Sequence, residues 1–250
     1  MDLSKCRSSQ DEIDRTKDLM KMIPNSGRNA LDVGARDGHF SILMADRFDR
    51  VVALDLTLPT ITHPRIDCIA GNAVDLKFED NTFDFVLCTE VLEHVPTSIL
   101  RKVCDELTRV CSHKLLIGVP NRQELRAGRT TCLSCSGKNP PWGHINRFDE
   151  KSLSQLFPTC RIESASFVGT TNEQTNAVAV FLMDVAGNPY GTYHQEEPCI
   201  YCGKTLVAPS HRSLAKKVAS RLGFFANNVS ELFATPRANW LHVLMTKSAR

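Results

Sequence analysis

Apolar and polar positions along the chain recur with two different periods. Residues 11–23 (DEIDRTKDLMKMI) place Ile13, Leu19, Met20 and Ile23 at roughly helical spacing, and Pro24-Asn25-Ser26-Gly27 then stops the helix. Short apolar runs follow at NALDVG, RVVALDL, RIDCIAG, TFDFVLCTE and HKLLIGVP, each reading as a strand bounded by polar or turn residues. Among them, HFSILMADRF and TSILRKVCDELTRVC carry the helical period. This alternation predicts an α/β fold, doubly wound and Rossmann-like, with a mostly parallel sheet of about seven strands and helices on both faces.

After Pro120 the pattern lapses for about 25 residues of Gly, Pro, Ser and polar groups, a length typical of functional loops or inserted modules. It resumes with a helix at 148–157 (FDEKSLSQLF) and strands at 160–169 (CRIESASFVG) and 176–185 (NAVAVFLMDV), the two strands reading as a hairpin. A second irregular stretch, AGNPYGTYHQEEPCIYCGKTLVAPS, precedes amphipathic SLAKKVASRL (213–222) and apolar NWLHVLMTK (239–247), a candidate further strand at the sheet edge. The expected organisation is a core over 1–185 with 120–147 as an inserted loop, then a partner module and C-terminal extension over 186–250.

Composition adds constraints. A chain of 250 residues, 42% hydrophobic, can bury a sizeable core, and a net charge of +2 gives no global attraction to nucleic acid or anionic membrane. The segment MDLSKCRSSQDEIDR has no apolar core to act as a signal peptide, and no run of about 18 apolar residues occurs, so a cytoplasmic protein without a membrane partner is expected. Of the 10 cysteines, Cys6, Cys68, Cys88, Cys104, Cys111 and Cys160 are scattered and read as small core residues.

The strongest chemical signal is ALDVGARDGHF. A strand ending near Asp32 leads through Gly34 and Gly38 into a helix, a turn that lets a ligand approach the backbone closely. Asp55 ends the second strand about 20 residues later, where it can accept hydrogen bonds from ribose hydroxyls. The turn lacks the G-x-G-x-x-G of nicotinamide enzymes. Asp32 would repel a pyrophosphate and attract an ammonium or sulfonium group, which favours S-adenosylmethionine over a dinucleotide.

The segments LDVGARDGHF, VVALDL, GNAVDLKFEDNTFDFVLCTEVLEHV and LLIGVPN resemble the successive motifs of class I S-adenosylmethionine-dependent methyltransferases, closest to the type 11 group, over residues 15–185. The resemblance implies that Asp32, Gly34, Ala35 and Gly38 face the methionine end of the cofactor. Asp55 would bind the ribose, Leu56 would flank the adenine, and Asn72 and Ala73 would lie at its edge. Cys88 and Thr89 would line the sulfonium. Arg36 departs from the family, which usually has glycine there.

In such a site the cofactor supplies an electrophilic methyl group and the protein aligns the acceptor. A general base is needed where the acceptor is a hydroxyl or a protonated amine. Candidates are His144, Glu93 and His94, with Glu90 beside them. In related enzymes a G-H-x-x-x-F segment borders the acceptor pocket, which adds weight to His144. The alternative for each is a helix cap or a satisfied loop partner. NPPW at 139–142 lies after the fifth strand and reads as turn chemistry.

Two C-x-x-C pairs remain, Cys132/Cys135 in CLSCSGK and Cys199/Cys202 in CIYCGK. Each second cysteine precedes a small residue, which lets backbone N–H groups fold back toward sulfur as in a zinc knuckle. Four thiolates suit a structural Zn²⁺, although 63 residues separate the pairs and only the fold can join them. Inert or separately redox-active pairs, or a metal shared between subunits, are the alternatives. Arg212, Lys216, Lys217 and Arg221 form either a solvated helix face or a patch for an anionic acceptor.

The expected protein is thus an S-adenosylmethionine-dependent methyltransferase with a structural zinc site, acting at O or N of a small-molecule or glycan-like acceptor. A zinc-containing RNA base methyltransferase is the rival enzyme. A non-catalytic, zinc-stabilised binding protein is the rival of another class.

Overall fold

A computed structural model of the protein describes residues 7–248, so Cys6 lies outside the described residues. In chain order the elements are α1 (Gln10–Met22), β1 (Gly27–Val33), α2 (His39–Ala45), β2 (Phe48–Asp55), β3 (Ile66–Ala70) and β4 (Phe83–Thr89). A 3₁₀ turn at Leu92–His94 precedes α3 (Thr97–Val110) and β5 (Cys111–Pro120). Two short strands, β6 (Thr130–Thr131) and β7 (Lys138–Asn139), lead to α4 (Glu150–Leu156) and β8 (Cys160–Val168). The chain closes with α5 (Ala177–Ala186), α6 (Leu214–Leu232) and β9 (Trp240–Lys247).

These elements fall into two compact units: one of residues 7–121, 148–169 and 238–248, the other of 122–147 and 170–237. The sequence expectation divided the chain at 185/186 instead.

The first unit is a seven-stranded sheet in the order β3-β2-β1-β4-β5-β9-β8. Strands β1 to β5 pair in parallel, and β9 runs antiparallel to both neighbours. Alternation along the strands sends side chains to opposite faces. Leu31, Val33, Val86 and Cys88 join the helix α3 residues Val103 and Leu107 in one apolar cluster. Ala30, Phe85 and Leu87 join Leu19 of α1 and Phe40 and Met44 of α2 in the other. The parallel strands all end at one edge, at Val33, Asp55, Ala70, Thr89 and Pro120. Helix α1 starts at an Ser9 cap, and α4 starts at a capping box between Asp149 and Ser152.

Two sequence expectations are corrected. Residues 176–185 do not form a strand hairpinned to 160–169; they form helix α5. An unbroken apolar run carries no period, so its ends decide its form. Here the Asn176 side chain accepts from the Ala179 N–H at 2.8 Å, and Gly187 closes the helix at φ +82°. The seventh strand is instead 240–247, and it lies inside the sheet between β5 and β8 rather than at the edge.

In the second unit, β6 and β7 pair antiparallel, and an isolated bridge joins Thr171 to Arg237. Helices α5 and α6 pack together through small groups. A Cβ at Gly223 would lie 3.2 Å from both Leu182 Cβ and Met183 Cγ, tighter than ordinary contact, so glycine eases this approach. The Asn176 amide donates to the Ala226 carbonyl at 3.0 Å across the pair.

Candidate cofactor site and cysteine cluster

The carboxyl edge of the parallel strands carries the residues expected around a cofactor. Asp32 sits next to last in β1, opposite Ala53 of β2 and Leu87 of β4. Its carboxylate is buried at 3% exposure and accepts a 2.5 Å hydrogen bond from the Ser41 hydroxyl. Burial pushes its pKa up to about 6 despite that bond, and Asp55 and Asp37 add repulsion. A cation placed beside Asp32 would relieve this cost.

The turn after β1 is pinned to β2: the Gly34 and Ala35 N–H groups both donate to the Leu54 carbonyl, at 2.8 and 3.1 Å. Gly34 and Gly38 have φ of +79° and +77°, and a Cβ at either would collide with Val91 or Ile61. Arg36 also adopts the left-handed region, at φ +49°. That conformation explains the glycine preference at its position. The Arg36 N–H donates to Asp55 Oδ2 at 2.9 Å, which orients the carboxylate at the end of β2. Asp37 pairs with Arg7 at 2.8 Å.

Leu56, directly after β2, is exposed. Asn72 and Ala73 follow β3, where Asn72 Oδ1 accepts from the Val74 N–H at 3.1 Å and shapes the turn. Cys88 pairs with Val33 across the ladder and is buried, and Thr89 ends β4 opposite Gly118.

Beyond Thr89 the unit gathers ionisable groups that sequence reasoning largely missed. Asp18 Oδ2 of α1 lies 2.6 Å from His242 Nδ1 of β9, and Asp18 Oδ1 accepts from the Ser166 hydroxyl at 2.8 Å. Burial opposes the Asp18 charge, but the His242 and Ser166 hydrogen bonds outweigh it and lower its pKa. Burial lowers the His242 pKa against the attraction of Asp18. The neutral ring therefore donates from Nδ1 to the carboxylate, leaving a lone pair on Nε2. His242 is fully buried, and Nε2 has no hydrogen-bond partner.

Its location is near the strand ends. His242 faces Gly118 in the β5–β9 register, and a Cβ at Gly118 would lie 3.3 Å from His242 Cδ2 and 2.9 Å from Thr89 Cγ2. Glycine at this position lets the imidazole and Thr89 close on one spot. Arg15 of α1 is the cation nearby, 3.6 Å from Glu90 Oε1 and 3.2 Å from Glu12 Oε2. Its guanidinium stacks over the Trp240 and Phe40 rings at 5.6 and 5.9 Å. Glu93 is fully buried with neither carboxyl oxygen hydrogen-bonded, and burial together with Glu90 raises its pKa well above the usual range. His94 follows it in the 3₁₀ turn.

Only a weak sequence signal marks His242: a histidine between Leu241 and Val243 in an apolar strand. Asp18 lies on a helix whose pattern is otherwise that of a solvated face. His144, by contrast, belongs to the second unit, where it is buried with Nδ1 at 2.6 Å from Gln123 Oε1.

The second unit also joins the two cysteine pairs. Cys132 Sγ lies 3.6 Å from Cys202 Sγ and Cys135 Sγ 3.6 Å from Cys199 Sγ, and the four sulfurs all lie within 4.8 Å of one another. Tetrahedral sulfur–zinc bonds of about 2.3 Å separate sulfurs by roughly 3.8 Å, so the cage has the dimensions of a thiolate metal site. The two halves are built alike. The Cys132 N–H donates to the Gly137 carbonyl and the Cys199 N–H to the Lys204 carbonyl, both at 2.9 Å. The small residues after the second cysteines, Ser136 and Gly203, take φ of +60° and +67°. That bend turns backbone N–H groups onto sulfur: Ser134 and Cys135 onto Cys132, Gly137 onto Cys135, Tyr201 and Cys202 onto Cys199, and Lys204 onto Cys202. Such donors stabilise thiolates.

Comparison with known proteins bears on the domain and the fold. Residues 31–114 match the type 11 family model described as "Methyltransferase domain". A Mycolicibacterium smegmatis protein named "Probable S-adenosylmethionine-dependent methyltransferase" is 30% identical over 151 residues, covering 58% of this chain and 55% of that protein. The Bacillus licheniformis "Demethylmenaquinone methyltransferase" is 34% identical over 108 residues, 39% of this chain and 45% of that one. The chain spans about half the length of the curated relatives it matches. Among solved structures, N-methyltransferase NodS from Bradyrhizobium japonicum WM9 superposes with a TM-score of 0.55 at 12% identity, over 97% of this chain and 99% of that one. At that identity the likeness is one of fold. Residues 31–114 thus match the type 11 methyltransferase domain, and the chain has the fold of solved methyltransferases.

Proposed function

We propose that this chain transfers a methyl group from S-adenosylmethionine to an oxygen or nitrogen of a small-molecule or glycan-like acceptor. The observation that carries the reading is the convergence of Asp32, the Gly34–Gly38 turn and Asp55 on one strand edge, with Asp55 oriented by the Arg36 N–H. Asp32 would hold the cofactor's ammonium and Asp55 its ribose hydroxyls. Ala35 would offer backbone to the methionine end, Leu56, Asn72 and Ala73 would border the adenine, and Cys88 and Thr89 would line the sulfonium.

The cofactor, when bound, supplies an electrophilic methyl carbon. The chain's own contribution is to orient the acceptor and to take its proton. For the second task His242 is the best-built group: neutral, fixed by Asp18 through Nδ1, and carrying a buried Nε2 with no hydrogen-bond partner, on a ring that faces Gly118 and Thr89. Glu93, His94 and His144 are retained as proposed acceptor-side contacts.

Cys132, Cys135, Cys199 and Cys202 would hold one Zn²⁺ in a closed four-sulfur shell, a structural role that fixes two distant loop segments to each other. The reading is tested with cofactor labelled in its methyl group and fractionated metabolite, glycan and RNA pools. Label in the small-molecule or glycan fraction supports it. Label confined to RNA transfers the assignment to base methylation, and no transfer with tight cofactor binding points to a non-catalytic binding protein.

A further inference from the structure

Helix α6 is built inside out. The residues it turns toward α5 are small: Ser220 and Gly223 are buried there, and Ala226 and Ser230 meet the Asn176 side chain. Its large apolar side chains point the other way. Leu214, Val218, Leu222, Phe225, Val229 and Leu232 recur at helical spacing and are 78%, 48%, 54%, 68%, 38% and 81% exposed. Helix α5 repeats the arrangement, with Ala179 buried in the seam and Val178, Phe181 and Val185 exposed. A helix in water normally buries such a stripe. A seam of small residues with large apolar groups outside is the pattern of helices that pack in an apolar surrounding.

The charges identify what covers this face. Lys216, Lys217 and Arg221 are exposed, and the sole acid of α6, Glu231, lies in its last turn. On a helical projection at about 100° per residue Arg221 and Lys217 lie along one border of the apolar arc, whereas Lys216 falls on the side of the α5 seam. Among the described residues no helix is long and apolar enough to cross a membrane. An apolar arc bordered along one side by cations on a non-spanning helix fits the boundary between acyl chains and anionic headgroups.

We propose that the α5–α6 pair docks this unit on the surface of an anionic lipid bilayer, with the outer arc among the acyl chains and Lys217 and Arg221 at the headgroups. The sequence expectation of no membrane partner rested on the lack of a spanning segment, and surface docking needs none. The proposal is independent of the methyl-transfer reading.

The test is co-sedimentation of the full chain with phosphatidylcholine vesicles and with vesicles containing phosphatidylglycerol, with and without RNA competitor. Binding should be stronger to the anionic vesicles and weaken with salt. Lys217→Gln/Arg221→Gln should reduce partitioning roughly tenfold or more. Phe225→Asp/Val229→Asp should abolish it, with an unchanged circular dichroism melt since both side chains are exposed. Failure to pellet with either vesicle overturns the proposal. So does pelleting that neither variant reduces. A stable dimer in light scattering that Phe225→Asp/Val229→Asp converts to monomer assigns the face to a second copy, and RNA affinity lost with the cations assigns it to nucleic acid; either result also overturns it.

Discussion

Asp18 and His242, separated by 224 positions in the chain, meet at 2.6 Å between Oδ2 and Nδ1, and the far nitrogen of the imidazole has no hydrogen-bond partner. The pair fixes one tautomer and leaves a lone pair beside the end of β4. Replacing His242 with Gln should lower kcat by about 10²–10³-fold with little change in KM for the cofactor. Asp18→Asn should also lower kcat, because it releases the tautomer. The pH profile separates a base from a structural contact. His242 has a lowered pKa, so activity should hold through neutral pH and fall only as pH drops through that value; the acid limb should vanish in His242→Gln.

Asp32 should trade stability for binding. Its folded pKa, raised to about 6 by burial, lies above the unfolded value of 3.8, so its ionisation opposes folding. The sign is fixed: the unfolded chain releases the proton first, and stability falls as pH rises from about 4 through 6. Asp32→Asn should therefore stabilise the cofactor-free protein above pH 6, by up to about 3 kcal/mol, and should not do so near pH 4. The same substitution should weaken cofactor binding strongly. Thermal melts at the two pH values, with and without cofactor, read both effects.

Arg36 occupies a left-handed conformation at φ +49° while its N–H holds Asp55. Arg36→Gly should raise stability by up to about 1 kcal/mol and preserve cofactor affinity. A lower melting temperature would show that the guanidinium contributes more than the backbone costs.

The four cysteines should carry about one zinc ion per chain, measured by elemental analysis. Cys199→Ser, or a strong chelator, should remove the metal and expose the segments 122–147 and 170–237 to proteolysis. Unchanged protease resistance in the metal-free protein would deny the ion a structural role.

Much of this was legible in the sequence where local pattern and chemistry coincide. The strands β1 to β5 carry their own apolar runs and turn residues, and Asp32, Gly34, Gly38 and Asp55 lie at strand ends fixed by those runs. The cysteine pairs announced themselves through their repeated bend. Residues 176–185 misled because an unbroken apolar stretch has no period, and the caps at Asn176 and Gly187 determine its form only once the helix has a partner. His242 was hidden for a different reason. Its strand reads as a peripheral apolar segment, and its proposed role depends on lying between β5 and β8, a pairing set by contacts far apart in sequence. The exposed arc of α6 was hidden too, since amphipathic spacing shows a stripe but not which way it points.

Isothermal titration of the full chain with S-adenosylmethionine bears most directly on the central claim. The account predicts saturable binding at one site per chain, lost in Asp55→Ala and weakened in Asp32→Asn. Absence of binding at millimolar cofactor, in a protein that melts cooperatively, would contradict it.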